Sequence, residues 1–262
     1  MLSSIFTKTL YEKRWGLLWW SVAMAAFTVM IVLAFPIFQD AFGEQMDAIP
    51  ESLRSIVGEA NDYQRVEGYL ELQVFMQMVF LTFIYGIILF TGLLAGEEND
   101  GTLQSLLAQP ISRTKVYLQK LAAGATLLGI LSIVMLLSTW AGLAIIDEGT
   151  SAIRLLGATF AQWLVGMVFA LLAYMIGAVS GRKGIAGALA GVYAFLGYIV
   201  TSLAATVTVL EYPNYLSPFR YFNNTKMLDQ GLQAGNIAVL LLACLVFSIV
   251  GWLVFRNRDI QQ

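Results

Sequence analysis

Residues 96–120 read GEENDGTLQSLLAQPISRTKVYLQK and lie between two runs, 72–95 and 121–146, that contain no Asp, Glu, Lys or Arg. Six residues of the passage are charged: Glu97, Glu98, Asp100, Arg113, Lys115 and Lys120. A polar island between two apolar runs of this length is a connection between membrane spans.

Four further runs, 17–38, 155–179, 185–210 and 237–255, are equally free of charge, and all six are 19 to 26 residues long. About 20 apolar residues in a helix cross a hydrocarbon core about 30 Å thick. A charge at a helix centre costs roughly 2.5 to 3.5 kcal/mol on the insertion scale, so the confinement of every formal charge to the connections predicts six spans. Composition agrees: the 262 residues are 58% hydrophobic and 12% charged, with a mean hydropathy of +0.73, whereas a soluble domain is about 25% charged. The expected fold is an all-α integral membrane protein with six transmembrane helices, a single domain over 1–262.

Six spans put both termini on one side. The termini with segments 96–120 and 180–184 hold Lys8, Lys13, Arg14, Arg113, Lys115, Lys120, Arg182, Lys183, Arg256 and Arg258; the opposite loops hold only Arg54, Arg65, Arg154, Arg220 and Lys226. Basic residues favour the cytoplasmic face, so the expected location is the plasma membrane with both termini cytoplasmic. The first run is too long for the h-region of a signal peptide and is read as retained.

The composition also excludes chemistry. With no histidine, imidazole zinc sites and Ser-His catalysis are absent. The one cysteine, Cys244, falls inside the sixth run, where it reads as a small core residue. No G-x-x-x-x-G-K-[ST] phosphate loop occurs; the nearest string, GAVSGRKG at 177–184, has Arg182 where the lysine belongs. No catalytic or metal-binding residues are assigned, nothing points to nucleic acid, and any ATP would be bound by another chain.

Along the chain, residues 1–16 place Leu2, Ile5, Phe6 and Leu10 at helical spacing, with Lys8, Lys13 and Arg14 elsewhere on the wheel. This predicts an amphipathic helix on the inner leaflet, in contact with membrane lipid. Pro36 predicts a kink or early stop near the outer end of the first span. The external segment 39–69 holds Asp40, Glu44, Asp47, Glu51, Glu59, Asp62 and Glu67 without a D-x-D-x-D-G calcium loop, and reads as solvated. In the second span Gln73 and Gln77 share a helix face below Glu71, and these three are candidate pathway residues. Gly177 with Gly181, and Gly187 with Gly191, are spaced for close packing of the fourth and fifth spans. The aromatic passage 211–235 suits a segment that dips back into the outer leaflet.

Within the island, Asp100 is placed to cap a short helix whose Leu103, Leu106 and Leu107 fall at i, i+3 and i+4. Pro110 ends that helix and Ser112 can cap the next. Three leucines on a short surface helix need a cover, either lipid or a partner's groove. Carboxylates at 97 and 98 are repelled by an anionic leaflet, which favours a protein partner.

The string LAGEENDGTLQSLLAQPISRTKVYLQK resembles the signature of type-2 ABC-transporter permeases. In those proteins the second and third spans are joined by a Gly-Glu-Glu, Gly-Thr-Leu, Pro-x-Ser-Arg passage that ends in a lysine. Here Gly96, Glu97, Glu98, Gly101, Thr102, Leu103, Pro110, Ser112, Arg113 and Lys120 stand at those places. Weaker similarity extends to IPESL at 49–53 and SPFRY at 217–221. The resemblance implies that 96–120 contains a coupling helix docked on a separate ABC ATPase subunit, which binds ATP and Mg. It also implies a second permease chain, identical or related, to complete the translocation pathway of an exporter. The competing reading is a self-sufficient channel or secondary transporter, which usually carries an ionisable residue deep in the membrane; none is present in the six runs.

Overall fold

The computed structural model describes residues 4–45, 65–204, 206–223 and 227–258. Among these residues there is no strand. Six helices are long and apolar enough to cross a membrane: Ile5–Asp40, Val66–Asn99, Arg113–Ile145, Ala152–Ser180, Lys183–Leu203 and Ala234–Asn257. In hydrocarbon every backbone N–H and C=O must be satisfied within the segment, which is why these runs are helices. The acidic passage 46–64, with IPESL inside it, lies outside the described residues.

The first span departs from expectation at its start. The described part of the lead-in is not a helix apart from the span: one helix, Ile5–Leu33, runs through both. Ser4 caps it, and Gln119 Oε1 of the third span accepts from the backbone N–H groups of Ile5 and Phe6 at 2.9 and 3.3 Å. With Ile5 and Thr9 buried, one face of the lead-in is held against the third span. At the other end the helix breaks at Ala34 and a second begins at Phe35. Pro36 has no N–H to continue the ladder, which accounts for the break.

The fourth span is the hub, packed against the second, third, fifth and sixth, while the first lies along the third. Small residues let the second and fourth spans touch. A Cβ on Gly166 would lie 2.7 Å from Thr82 Cγ2, and one on Gly86 would lie 3.1 Å from Ala170 Cβ. Beside this contact Gln162, fully buried, donates to Thr82 Oγ1 at 2.7 Å, and Thr82 donates on to the Met78 carbonyl at 2.8 Å. Such a bond fixes the rotation of one helix against another where packing alone discriminates weakly.

Two expectations need correction. The fifth span helix stops at Leu203 instead of continuing to 210. Its proposed glycine pair is also not a close-packing pair, because Gly191 has open space around it and Gly187 meets only Thr91 Cγ2 at 3.8 Å. Gly177 does pack tightly, 3.2 Å from Ala95 Cβ. After the fifth span, the aromatic passage folds back into the bundle. Phe219, fully buried, lies 5.1 Å from Phe169, 5.7 Å from Phe83 and 6.0 Å from both Phe80 and Tyr198, ring centre to ring centre. Ser217 Oγ donates to the Gly197 carbonyl at 2.9 Å and anchors the turn.

Candidate functional site

The island is an ordered turn at the end of the bundle that carries both termini. The second span helix loosens to a π-turn over Gly92–Gly96, tightens again over Glu97–Asn99, and stops. Gly101 has a φ of 72°, a left-handed conformation that glycine adopts without steric cost. Gly101, not Asp100, is therefore the residue that starts the island helix, Thr102–Leu107, and no side chain caps it. Thr102 Oγ1 reaches back to the Glu97 carbonyl at 3.2 Å. The helix ends two residues before Gln109, and the third span begins at Arg113, with Ser112 Oγ accepting from the Lys115 N–H at 3.3 Å as expected of a cap.

The leucine face points the other way from expectation. Leu103 is 0% exposed, and Leu106 and Leu107 are half-buried against the same core. The three leucines therefore fasten the island to its own bundle. Facing outward are Thr102, Gln104, Ser105, Ala108, Gln109 and Pro110, all exposed. A six-residue helix needs most of one side to stay attached, and its apolar side makes that attachment because burial of leucine is worth about 1.5 to 3 kcal/mol per side chain.

The two carboxylates are also engaged within the chain. Glu97 forms an ion pair with Lys120, whose side chain is only 2% exposed. Glu98 forms one with Arg258, beyond the sixth span. Arg258 Nη1 further donates to the Val179 carbonyl at 3.1 Å, and Arg113 Nη1 donates to the Arg258 carbonyl. With its amide nitrogen turned toward them, Asn99 donates to the Gly181 and Ala95 carbonyls at 2.8 and 2.9 Å. Gly181 has a φ of 66°, and a Cβ there would lie 2.6 Å from Glu98 Oε1. The island, the turn between the fourth and fifth spans and the end of the sixth span are thus clasped together. Of the clasp residues Arg258, Asn99 and Gly181, the sequence hints only at Arg258, one of two basic residues after the sixth run.

The pathway candidates separate. Gln77 donates to Gln73 at 2.8 Å, so these two are brought together as their spacing implied. Glu71 instead accepts from the Leu228 N–H at 2.5 Å and lines a small apolar cavity of about 90 Å³ with Phe75, Ala158, Phe222 and Met227. Here the carboxylate holds the segment after the fifth span against the second. A larger apolar groove of about 390 Å³ lies between the second and fifth spans, lined by Phe80, Phe83, Ile84, Ile88, Gly191 and Phe195. Open space at Gly191 is part of this groove. Among the described residues no group of three or more Cys, Asp or Glu side chains converges to hold a metal ion.

Against known families, residues 5–260 match the model of the ABC-2 family transporter protein. No match emerges among curated proteins. The family match spans nearly the whole chain, so the chain belongs to the ABC-2 type transporter permease family: it is a membrane permease component of an ABC transporter, the class that works with an ABC ATPase subunit.

Proposed function

We propose that this ABC-2 permease is the membrane half of an ATP-driven exporter that couples to a separate ATPase subunit through the island. ATP and Mg are bound on that ATPase. Both termini are cytoplasmic in the plasma membrane, in keeping with the basic bias of the terminal segments. Two permease chains, identical or related, pair to form the pathway, and the open groove between the second and fifth spans is the apolar surface they would share.

The observation that carries the reading is the exposed polar and small-residue face of Thr102, Gln104, Ser105, Ala108 and Gln109 on a helix otherwise locked into the bundle. A rigidly held surface helix passes on a push, because its displacement must be shared by the spans clasped to it. ATP-driven closure of the ATPase pair would move two such helices together and tilt the second and third spans, which are continuous with the island.

The test is Ser105→Trp, which adds bulk to the exposed face and leaves Leu103 and the ion pairs untouched. The wild-type chain is expected to co-purify with an ATPase subunit in equal numbers, and the variant to insert normally but lose that subunit. Substrate flux from liposomes containing this chain alone, without ATP and unchanged by Ser105→Trp, would overturn the reading in favour of a channel or carrier.

A further inference from the structure

At the same end of the bundle, the first and second spans and the start of the fifth line a half-open cavity of about 230 Å³. Its mouth carries Lys13 and Lys183, its inner wall carries Trp20, Tyr85 and Leu89, and Ile88 stands exposed at its rim. The lysines come from different helices and converge on one stretch of the second span. A Cβ on Gly92 would lie 3.7 Å from Lys13 Nζ, and one on Gly96 would lie 3.7 Å from Lys183 Cδ. Gly92 and Gly96 bound the π-turn, four residues or about 6 Å apart along a helix. The glycines therefore give both lysine side chains room to lie flat on the second span, one turn apart.

Neither lysine has an ion-pair partner among the described residues. Glu12, which also lines the cavity, pairs with Lys8 at 3.6 Å on the solvent side. Lys183 in addition opens the 21-residue fifth span helix, whose N-terminus has no side-chain cap. The positive end of the helix dipole adds to its charge and favours an anion there. Two cations and a helix N-terminus at the mouth call for a negative group. The wall below is apolar and aromatic, with the Trp20 and Tyr85 rings 5.4 Å apart. Trp20 is seven residues beyond Lys13, and Tyr85 seven before Gly92, so the wall extends about 10 Å into the bundle from the charged mouth.

We propose that this cavity is a binding site for one anionic phospholipid, its phosphate between Lys13 and Lys183 and an acyl chain along Trp20, Tyr85 and Leu89. The depth of apolar wall argues for a lipid over a free phosphate, since a soluble anion gains nothing from it. Placement in the cytoplasmic leaflet, where anionic lipid is concentrated, rests on the orientation proposed above. The site itself does not need that orientation, nor an ATPase.

The test titrates the purified full-length chain in detergent with phosphatidylglycerol and counts bound lipid by native mass spectrometry. One phosphatidylglycerol per chain is expected, with phosphatidylcholine of the same acyl chains and soluble glycerol phosphate each binding at least tenfold more weakly. Lys13→Gln/Lys183→Gln should weaken phosphatidylglycerol binding about tenfold, while Lys115→Gln/Arg256→Gln, which removes two exposed charges from the same end and touches no residue of the cavity, should not. Equal binding of phosphatidylcholine, equal binding of glycerol phosphate, or equal losses in the two double variants would each overturn the proposal. Orientation fails separately, through labelling of a cysteine at Ser105 by an impermeant thiol reagent in intact cells.

Discussion

Both ends of the bundle carry ion pairs, and they differ in what surrounds them. At the island end Lys120 and Glu97 meet with the lysine almost wholly enclosed, and Glu98 meets Arg258 with both side chains mostly covered. At the far end Arg65 pairs with Asp229 at 2.6 Å and with Glu67 at 3.6 Å, and Arg65 is 52% exposed. Glu97–Lys120, Glu98–Arg258 and Arg65–Asp229 each join residues far apart in the chain. The enclosed pairs fix a unique arrangement because a charge left alone there has no water to turn to. The exposed ones can break at little cost because water replaces the lost partner. A carboxylate motif in a surface connection thus serves as an internal lock at one end, while similar charges at the other end add little.

The comparison is broken most directly at Lys120. Glu97→Leu should leave the ammonium buried and unpaired, at a cost of about 3 to 5 kcal/mol, read as a steep loss of monodisperse protein in detergent. Glu97→Leu/Lys120→Met should recover most of it, because two apolar groups then fill the same space. A Glu97→Leu protein as heat-resistant as the wild type would mean the pair is effectively solvated, and the contrast between the ends would vanish.

A smaller effect is expected at Gly181. Alanine there must take up a left-handed conformation at about 1 to 2 kcal/mol and must displace the Glu98 carboxylate from Arg258. A lowered unfolding midpoint is expected from Gly181→Ala, and none from Gly184→Ala, three residues on, where an added Cβ meets nothing within 4 Å. Equal midpoints would show that the clasp yields freely.

At the far end, Glu71→Gln weakens a charge-assisted bond to the Leu228 N–H but keeps an acceptor, so a loss of about 1 kcal/mol is expected. The smallest effect belongs to Asp229→Asn, at or below about 1 kcal/mol and reduced further by salt. If Asp229→Asn proved costlier than Glu97→Leu in the same thermal assay, exposure would not be what separates the two ends.

Features that depend on neighbours along the chain were legible from the residues alone. Six charge-free runs are six spans because a charge in hydrocarbon costs more than any local contact returns. The break before Pro36 follows from a missing N–H, and the Ser112 cap from a hydroxyl placed three residues before a free one. The island was found for the same reason, since charge between two spans has few places to be. Which way the island's leucines point was not legible, because a six-residue helix is too short for its apolar period to say what covers it. Only the packed bundle placed Leu103 inside, brought Arg258 across to Glu98, and set Phe219 among four rings. It also left Gly191 open to a groove while setting Gly166 so close to the second span that a Cβ there would collide with Thr82. These outcomes depend on the rotation and offset of whole helices, fixed by contacts between residues that are tens to more than a hundred positions apart. No local pattern carries that information.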